Sequence, residues 1–351
     1  MLAVGGSLCV VNTAADVDDG AGSCACTGAA CGTDGSLSLA EALRLSADGT
    51  TITFAGPMTI TGSGSYTISR NVQILAPPGV VLDSKSFLIQ GGDSGQPLVL
   101  AGLEFTRQTT PIFVASKRFV VFEDVYFHGL GTAGTPAVED RGTVTLTRVR
   151  MANCASTCLL LTDSSNSDLL TVRHSDFKGN GGAGTAIEAQ QCKSGRLALS
   201  VQSNAFSGFA QAVRVGAACP GFTAILDNTF EANGSGLVYA AGASPNHVLR
   251  NNVFTNQTAA AASCGGATFA NRDYHVLFGN ASDGCLAGDP NALAADPQYV
   301  FPAARDYRLQ LGSPAVDSAV DLGLYLMPGF PAAPGPRFMG AGPDRGGRES
   351  F

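Results

Sequence analysis

Aligned on a phenylalanine that returns about every 24 residues, the side chains able to do chemistry fall into two sets. In the first, Asp124, Arg148 and His174 share one position of the repeat, and Tyr126, Arg150 and Asp176 share another two residues on. On neighbouring strands such residues would stand roughly 4.8 Å apart on one outward face. Proton abstraction beside a carboxylate needs a base with a cation close by to stabilise the enolate. His174 or Arg150 could abstract, Arg148 could clamp, and Asp176 could orient. In the second set, Glu139, Glu188 and Arg214 fall at matching positions of a different strand. Glu139 and Glu188 are two repeats apart, roughly 9–10 Å, at the long end of the separation for an inverting glycosidase pair. The default for both sets is a ladder of surface ion pairs, each worth about 0–1 kcal/mol.

Other chemistry is thinly represented. Asp16-x-Asp18-Asp19-Gly20 has the spacing of a Ca²⁺ loop, but no bidentate Glu follows at the EF-hand position, so an acidic turn is the default there. His128, His247 and His275 have no spaced partners and are assigned no metal. No G-x-S-x-G, H-E-x-x-H or P-loop is present. The glycine-rich run from Gly179 to Gly184 does not open a helix and makes a poor phosphate cradle.

What positions these residues is the repeat itself. Phe105, Phe127, Met151, Phe177, Phe206, Phe230, Phe254 and Phe278 form one apolar column. Leu100, Phe122, Leu146, Val172, Val201, Ile225 and Leu249 form a second, five positions ahead, which extends back through Ile74 to Phe54. Between the columns the two-residue alternation slips by one, as from Leu146 to Val149. One extra residue flips side-chain parity, so the chain must bend there to keep both strands facing inward. Strand, one-residue corner, strand, loop and third strand make one coil of a stack. Asn204, Asn228 and Asn252, each two residues before the phenylalanine, suit an amide ladder from coil to coil.

The ends differ from the middle. Ser38-x-x-Glu41 is a capping box opening a short amphipathic helix that would cover the first coil. After about Leu286 the periodicity fails and proline becomes frequent. The expected organisation is an N-terminal cap at 1–50, coils at 51–286 and a C-terminal cap segment at 287–351.

Composition agrees with many short strands: 44 Gly, no Trp and only 14% charged residues in 351. A net charge of −7 without a basic patch argues against nucleic acid. No apolar run reaches membrane-spanning length. Residues 1–11 are apolar but lack a charged n-region, and read as the start of a mature or trimmed chain, with a cytosolic protein as the alternative. The ten cysteines sit in loop positions and suggest disulfides formed in an oxidising compartment. Cys192 with Cys219, Cys264 with Cys285 and Cys154 with Cys158 are plausible pairs, and the other four lie within the first 31 residues. Cys24-x-Cys26-x4-Cys31 lacks a nearby His and the usual zinc spacing.

The Asn-x-Phe corners, as in Asp227-Asn-Thr-Phe230 and Asn251-Asn-Val-Phe254, resemble the coils of the secreted right-handed parallel β-helix proteins of the pectate-lyase-like superfamily. The segments Val10 to Gly20 and Gly35-Ser-Leu-Ser-Leu-Ala-Glu41 resemble the N-terminal "CSLREA" motif of bacterial surface β-helices, with Gly35 in place of its Cys and Ala40 in place of its Arg. Asp296 to Val300, Asp306 to Asp317 and Pro343 to Phe351 resemble the closing segment of the same proteins. The resemblance implies an all-β, right-handed parallel β-helix of about nine or ten coils with a capping helix and an irregular, Pro-rich C-terminal cap. It implies export to the cell surface or medium as a monomer, with a polysaccharide or cell-surface glycan as partner and no cofactor beyond a possible Ca²⁺. The fold hosts both adhesins and enzymes. An adhesive or glycan- or matrix-binding role is the first expectation, and a polysaccharide lyase or glycoside hydrolase acting on uronate or neutral polymers is the alternative. Sugar grooves use aromatic platforms, for which Tyr126 and Tyr239 are the outward candidates on the coils.

Overall fold

The computed structural model describes residues 7–24, 33–91, 95–129, 134–162, 169–192, 194–240, 245–320 and 343–346. Three parallel sheets wind together into a right-handed β-helix of about nine turns. The first sheet has eleven strands, from Leu8–Val11 to Thr268–Asp273; the second has ten, from Met58–Thr61 to Val276–Phe278; the third has nine, from Ser65–Ile68 to Ala260–Ser263.

The corner between the first two sheets is one left-handed residue per coil. Gly102, Asp124, Arg148, His174, Ser203, Asp227, Asn251 and Tyr274 occupy it, with φ between 50° and 72°. This is the parity slip seen in the sequence. A left-handed non-glycine residue costs about 1–2 kcal/mol, which the packed strands on both sides offset. At Gly102 there is no choice: an added Cβ would lie 2.1 Å from the Ala76 carbonyl oxygen.

Two residues before the corner lies the first core column, and three residues after it the second. The second reads Leu82, Phe105, Phe127, Met151, Phe177, Phe206, Phe230, Phe254 and Leu277. Phe177, Phe206, Phe230 and Phe254 stack with centroids 4.7–5.1 Å apart. The expected last member, Phe278, instead pairs with Thr255 and is 38% exposed. Position follows the corner at Tyr274, not the residue count, and the last coil is one residue shorter. Likewise Ile52, and not Phe54, pairs with Ile74 in the first column; Phe54 pairs with Val11.

The asparagine ladder is present and longer than the sequence suggests. Asn228 Oδ1 accepts from Asn204 N and Nδ2, each at 3.0 Å, and Asn252 Oδ1 accepts from Asn228 N at 3.0 Å. Ser175 Oγ continues it at one end by accepting from Val149 N, and His275 Nδ1 ends it by accepting from Asn252 N. Four disulfides, Cys9–Cys24, Cys154–Cys158, Cys192–Cys219 and Cys264–Cys285, are present among the described residues; Cys9 and Cys158 lie in the strands Leu8–Val11 and Thr157–Leu161, not in loops as the sequence suggests. Cys26 and Cys31 lie outside the described residues.

The helix Leu39–Leu45 carries the capping box: Ser38 Oγ accepts from Glu41 N, and Glu41 Oε2 accepts from Ser38 N at 3.0 Å. At the other end the chain first crosses the last coil, where Leu293 bridges to Val276. It then forms an antiparallel hairpin, Tyr299–Phe301 with Asp306–Leu309. Tyr299, Tyr307, Leu309 and Ala315 bury the outward face of the second sheet at Ala205, Val253 and Val276. Outward residues of that sheet are therefore small or apolar under the hairpin and polar before it.

Candidate functional site

The outer face of the second sheet ahead of the hairpin forms a groove. Its floor is a register column, Tyr126 in Tyr126–His128, Arg150 in Arg150–Ala152 and Asp176 in Asp176–Lys178. One side is the left-handed corner, with Asp124, Arg148 and His174; this part encloses about 410 Å³. The other side is the C-terminal hairpin, through Arg305, Asp306 and Arg308; this part encloses about 740 Å³ and shares Tyr126, Arg150 and Asp176 with the first. The structure thus brings together every residue of the first sequence-predicted set.

The charges do not act alike. Arg148 grips Asp124 through Nε at 2.8 Å and Nη2 at 2.9 Å, and reaches Glu123 Oε1 at 2.5 Å. That bidentate contact holds the Asp124 carboxyl below the usual range, with the Arg148 charge adding to it. Arg148 is satisfied by two carboxylates, so it is a poor clamp for a third. Arg305 donates to the Phe177 carbonyl and to Ser207 Oγ, both at 3.1 Å, and lies 3.9 Å from Asp176 Oδ1. Arg308 grips Asp306 at 2.5 Å. Desolvation around His174, then the charges of Arg173 and Arg148, lower its pKa, although the residue is exposed at the corner.

Arg150 stands apart. It is exposed, and among the described residues its side chain makes no hydrogen bond or ion pair. Lys178, exposed one coil on, is in the same state. Tyr126 is 37% exposed, and its ring stacks on His128 at 4.7 Å, which in turn bonds Glu104 at 2.6 Å. Five cationic and three anionic side chains line the two halves of the groove, in a chain whose net charge is −7.

The second predicted set lies on the third sheet, with register Glu139, Leu160, Glu188, Arg214. Leu160 stands between the two glutamates. Glu188 is paired with Arg214 at 2.8 Å and Glu139 with Arg141 at 2.8 Å. Each carboxylate has its own guanidinium, the arrangement of surface ion pairs.

Tyr239, expected outward, is 1% exposed and corrects that reading. It shares parity with Leu237 in Ser235–Tyr239, so both point inward while Val238 faces out. Its hydroxyl is 2.7 Å from Thr223 Oγ1, beside buried His247.

The aspartates of the candidate Ca²⁺ loop diverge. Asp16 is held by Tyr66 and Lys85, Asp18 by Arg44 at 2.9 Å, and Asp19 by Thr33 at 2.7 Å and the Asp34 amide at 2.8 Å. Among the described residues no three His, Cys, Asp or Glu side chains converge as a metal cluster. This donor set does not fit Ca²⁺.

Sequence reading missed Lys178, Arg305 and Arg308. The available signal was the outward Ala205, Val253 and Val276: apolar residues at surface positions of a strand announce a cover.

No protein-family model matches the chain, and no curated protein matches it. Among solved structures it is similar to the pectate lyase Pel9A, with 14% identity, 99% of this chain and 98% of that chain covered, and a TM-score of 0.55. It is also similar to jun a 1, the major allergen from cedar pollen, with 11% identity, coverage of 88% and 85%, and a TM-score of 0.46. The first likeness establishes the pectate-lyase-like β-helix fold.

Proposed function

We propose that this protein is an exported surface β-helix that binds an anionic polysaccharide, without cleaving it, in the groove between the second sheet and the C-terminal hairpin. The observation that carries the reading is Arg150: an exposed guanidinium without a partner among the described residues, beside Lys178 and in register with exposed Tyr126. A guanidinium forks onto carboxylate or sulfate, and a neighbouring tyrosine face accepts a sugar ring. The four disulfides suit an oxidising compartment. No helix among the described residues is long and apolar enough to cross a membrane.

Binding without hydrolysis is supported by the state of the carboxylates. Asp124 and Asp306 are each gripped by an arginine, and Asp176 faces Arg305. A hydrolase needs one carboxyl held protonated as an acid. Asp124 is shifted the opposite way.

One observation favours a lyase as the second reading: His174 stands at the corner of the same groove, next to Arg148. The test is calorimetric titration with polyuronate, sulfated and neutral polysaccharides over a range of salt. Alongside it, the same polymers are incubated with the protein, with and without Ca²⁺, and followed by unsaturated-end absorbance and reducing ends. Salt-sensitive binding to anionic polymers without new ends is the expected result. Unsaturated ends that vanish in His174→Ala would install the lyase, and no binding to any anionic polymer would sink the proposal.

A further inference from the structure

We infer that the groove is blind at its C-terminal end and takes the terminus of an anionic polysaccharide, not a stretch from its middle. This rests on the anionic-glycan reading above and adds to it which part of the polymer is bound.

One register column runs along the outer face of the second sheet, parallel to the axis of the β-helix. Its exposure changes in a single step. Tyr126 and Arg150 are exposed and Asp176 is half-buried. The next member, Ala205, is 2% exposed, Thr229 is 1%, and Val253 and Val276 are fully buried. The strands keep their register through this step, so its cause lies above them. The hairpin of Tyr299–Phe301 and Asp306–Leu309 comes down on the sheet there. Its Arg305, Asp306 and Arg308 line the groove beside Asp176 and Lys178, as a wall across the column. In the other direction Glu104, Val81 and Thr59 all keep some exposure, which gives polymer beyond Tyr126 a way out along the axis.

The wall is fixed to the floor. Arg305 donates to the Phe177 carbonyl on the last open coil and to Ser207 Oγ on the first covered one. Behind it Tyr299, Tyr307 and Leu309 pack on the sheet as an apolar block. Lifting the hairpin to let a chain pass would expose that block and break those bonds. The wall is also polar on its groove side. A terminal sugar carries a hydroxyl where an internal sugar carries its next linkage. The hydroxyl can bond to such a wall, whereas a continuing chain collides with it.

At about 4.8 Å per coil, the floor from Tyr126 to Asp176 is roughly 10 Å long, space for about two sugar rings. Arg150 stands in the middle of this stretch, and exposed Lys178 stands one coil nearer the wall. The acidic groups of the last sugars therefore fall on these two cations.

Counting protein copies per polymer chain tests this. Length-sorted fragments of the polyuronate and sulfated polymers, from the monosaccharide upward, are titrated by calorimetry at fixed moderate salt, with the parent polymers beside them. Affinity per chain is expected to stop rising at about three units, and the polymer to bind within about twofold of the trimer. Sedimentation with protein in excess is expected to find a single copy per chain, whatever its length. Arg150→Ala should weaken trimer and polymer by the same factor, which assigns both to this groove. Copies that increase in proportion to chain length would show a groove open at both ends; the inference then falls while the anionic-glycan reading stands. A trimer bound equally well by Arg150→Ala also overturns the inference. No binding of any anionic fragment or polymer sinks that reading, and the blind groove as a glycan site with it.

Discussion

Asn228 offers the most demanding check on how the coils hold together. It is fully buried, and its one amide serves three coils. Oδ1 accepts from Asn204 N and Nδ2 at 3.0 Å each. Nδ2 donates to the carbonyls of Val201 at 2.9 Å and Leu226 at 2.8 Å, and to Asn252 Oδ1 at 3.1 Å. Asn228→Ala orphans two donors of Asn204 and withdraws a donor from three acceptors. An orphaned buried polar group costs about 1–3 kcal/mol. The two donors alone predict a loss of about 2–6 kcal/mol, and partial relaxation brings the expectation down to about 2–4 kcal/mol. Asn228→Asp keeps the accepting function, loses the donating one and buries a charge, so it should fare no better. Urea unfolding followed by far-ultraviolet circular dichroism measures both. Because stability in a stacked array is nearest-neighbour in character, hydrogen exchange of Asn204 N and Val253 N should rise well before exchange near Ile60. A loss below about 1 kcal/mol in Asn228→Ala, or exchange rising evenly along the chain, would refute the ladder as a structural tie.

Arg150→Ala should weaken binding of an anionic polymer about fivefold to thirtyfold and flatten its salt dependence, as read by calorimetry; unchanged affinity would remove Arg150 from the site. Burial, with Arg345 and Arg272 nearby, pushes His275 from 6.5 down to about 3. The unfolded chain therefore binds the extra proton first, and stability should fall as pH drops from about 6.5 toward 3. Burial raises Asp289 from 3.8 to about 6, so its contribution is lost instead as pH rises through that window, which partly offsets the histidine. His275→Asn, whose amide can still accept from Asn252 N, should flatten the acid side of the stability curve in urea titrations at several pH values. Tyr239→Phe leaves Thr223 Oγ1 without its 2.7 Å partner and should cost about 1–2 kcal/mol by urea unfolding, with no change in glycan binding; a binding defect would return Tyr239 to the site.

The scaffold was legible because two independent constraints coincide in the chain. Apolar columns recur, and the parity slip between them has one physical solution, the left-handed corner now seen at Asp124, Arg148 and His174. The capping box at Ser38 and Glu41 and the amides at Asn204, Asn228 and Asn252 carry their bonding partners at short or repeating distances, so they too could be read. Phe278 keeps the 24-residue spacing but not the place in the core, because core position is set by distance from the corner at Tyr274. Tyr239 shares parity with Leu237 on its strand and so faces the core, although its type suits a sugar platform. The floor of the groove was visible, since Tyr126, Arg150 and Asp176 keep the repeat. The far wall was not, because Arg305 and Arg308 belong to a segment without periodicity and meet the sheet across a long chain separation.

The hairpin that walls the groove also alters how the molecule would bear load. A bare solenoid is held coil by coil, so tension at one end would peel off single turns. Here one strap runs from the Phe177 carbonyl, through Ser207 and Thr255, to Val276. Arg345 fastens the far end to the carbonyls of His275 and Asn291 at 2.8 Å each. Among the described residues the last coils are thus bound in parallel as well as in series, whereas no such strap crosses the coils before Phe177. Tension borne by those described contacts would be shared over several turns at the C-terminal end, with one wall of the groove, and passed turn by turn at the other.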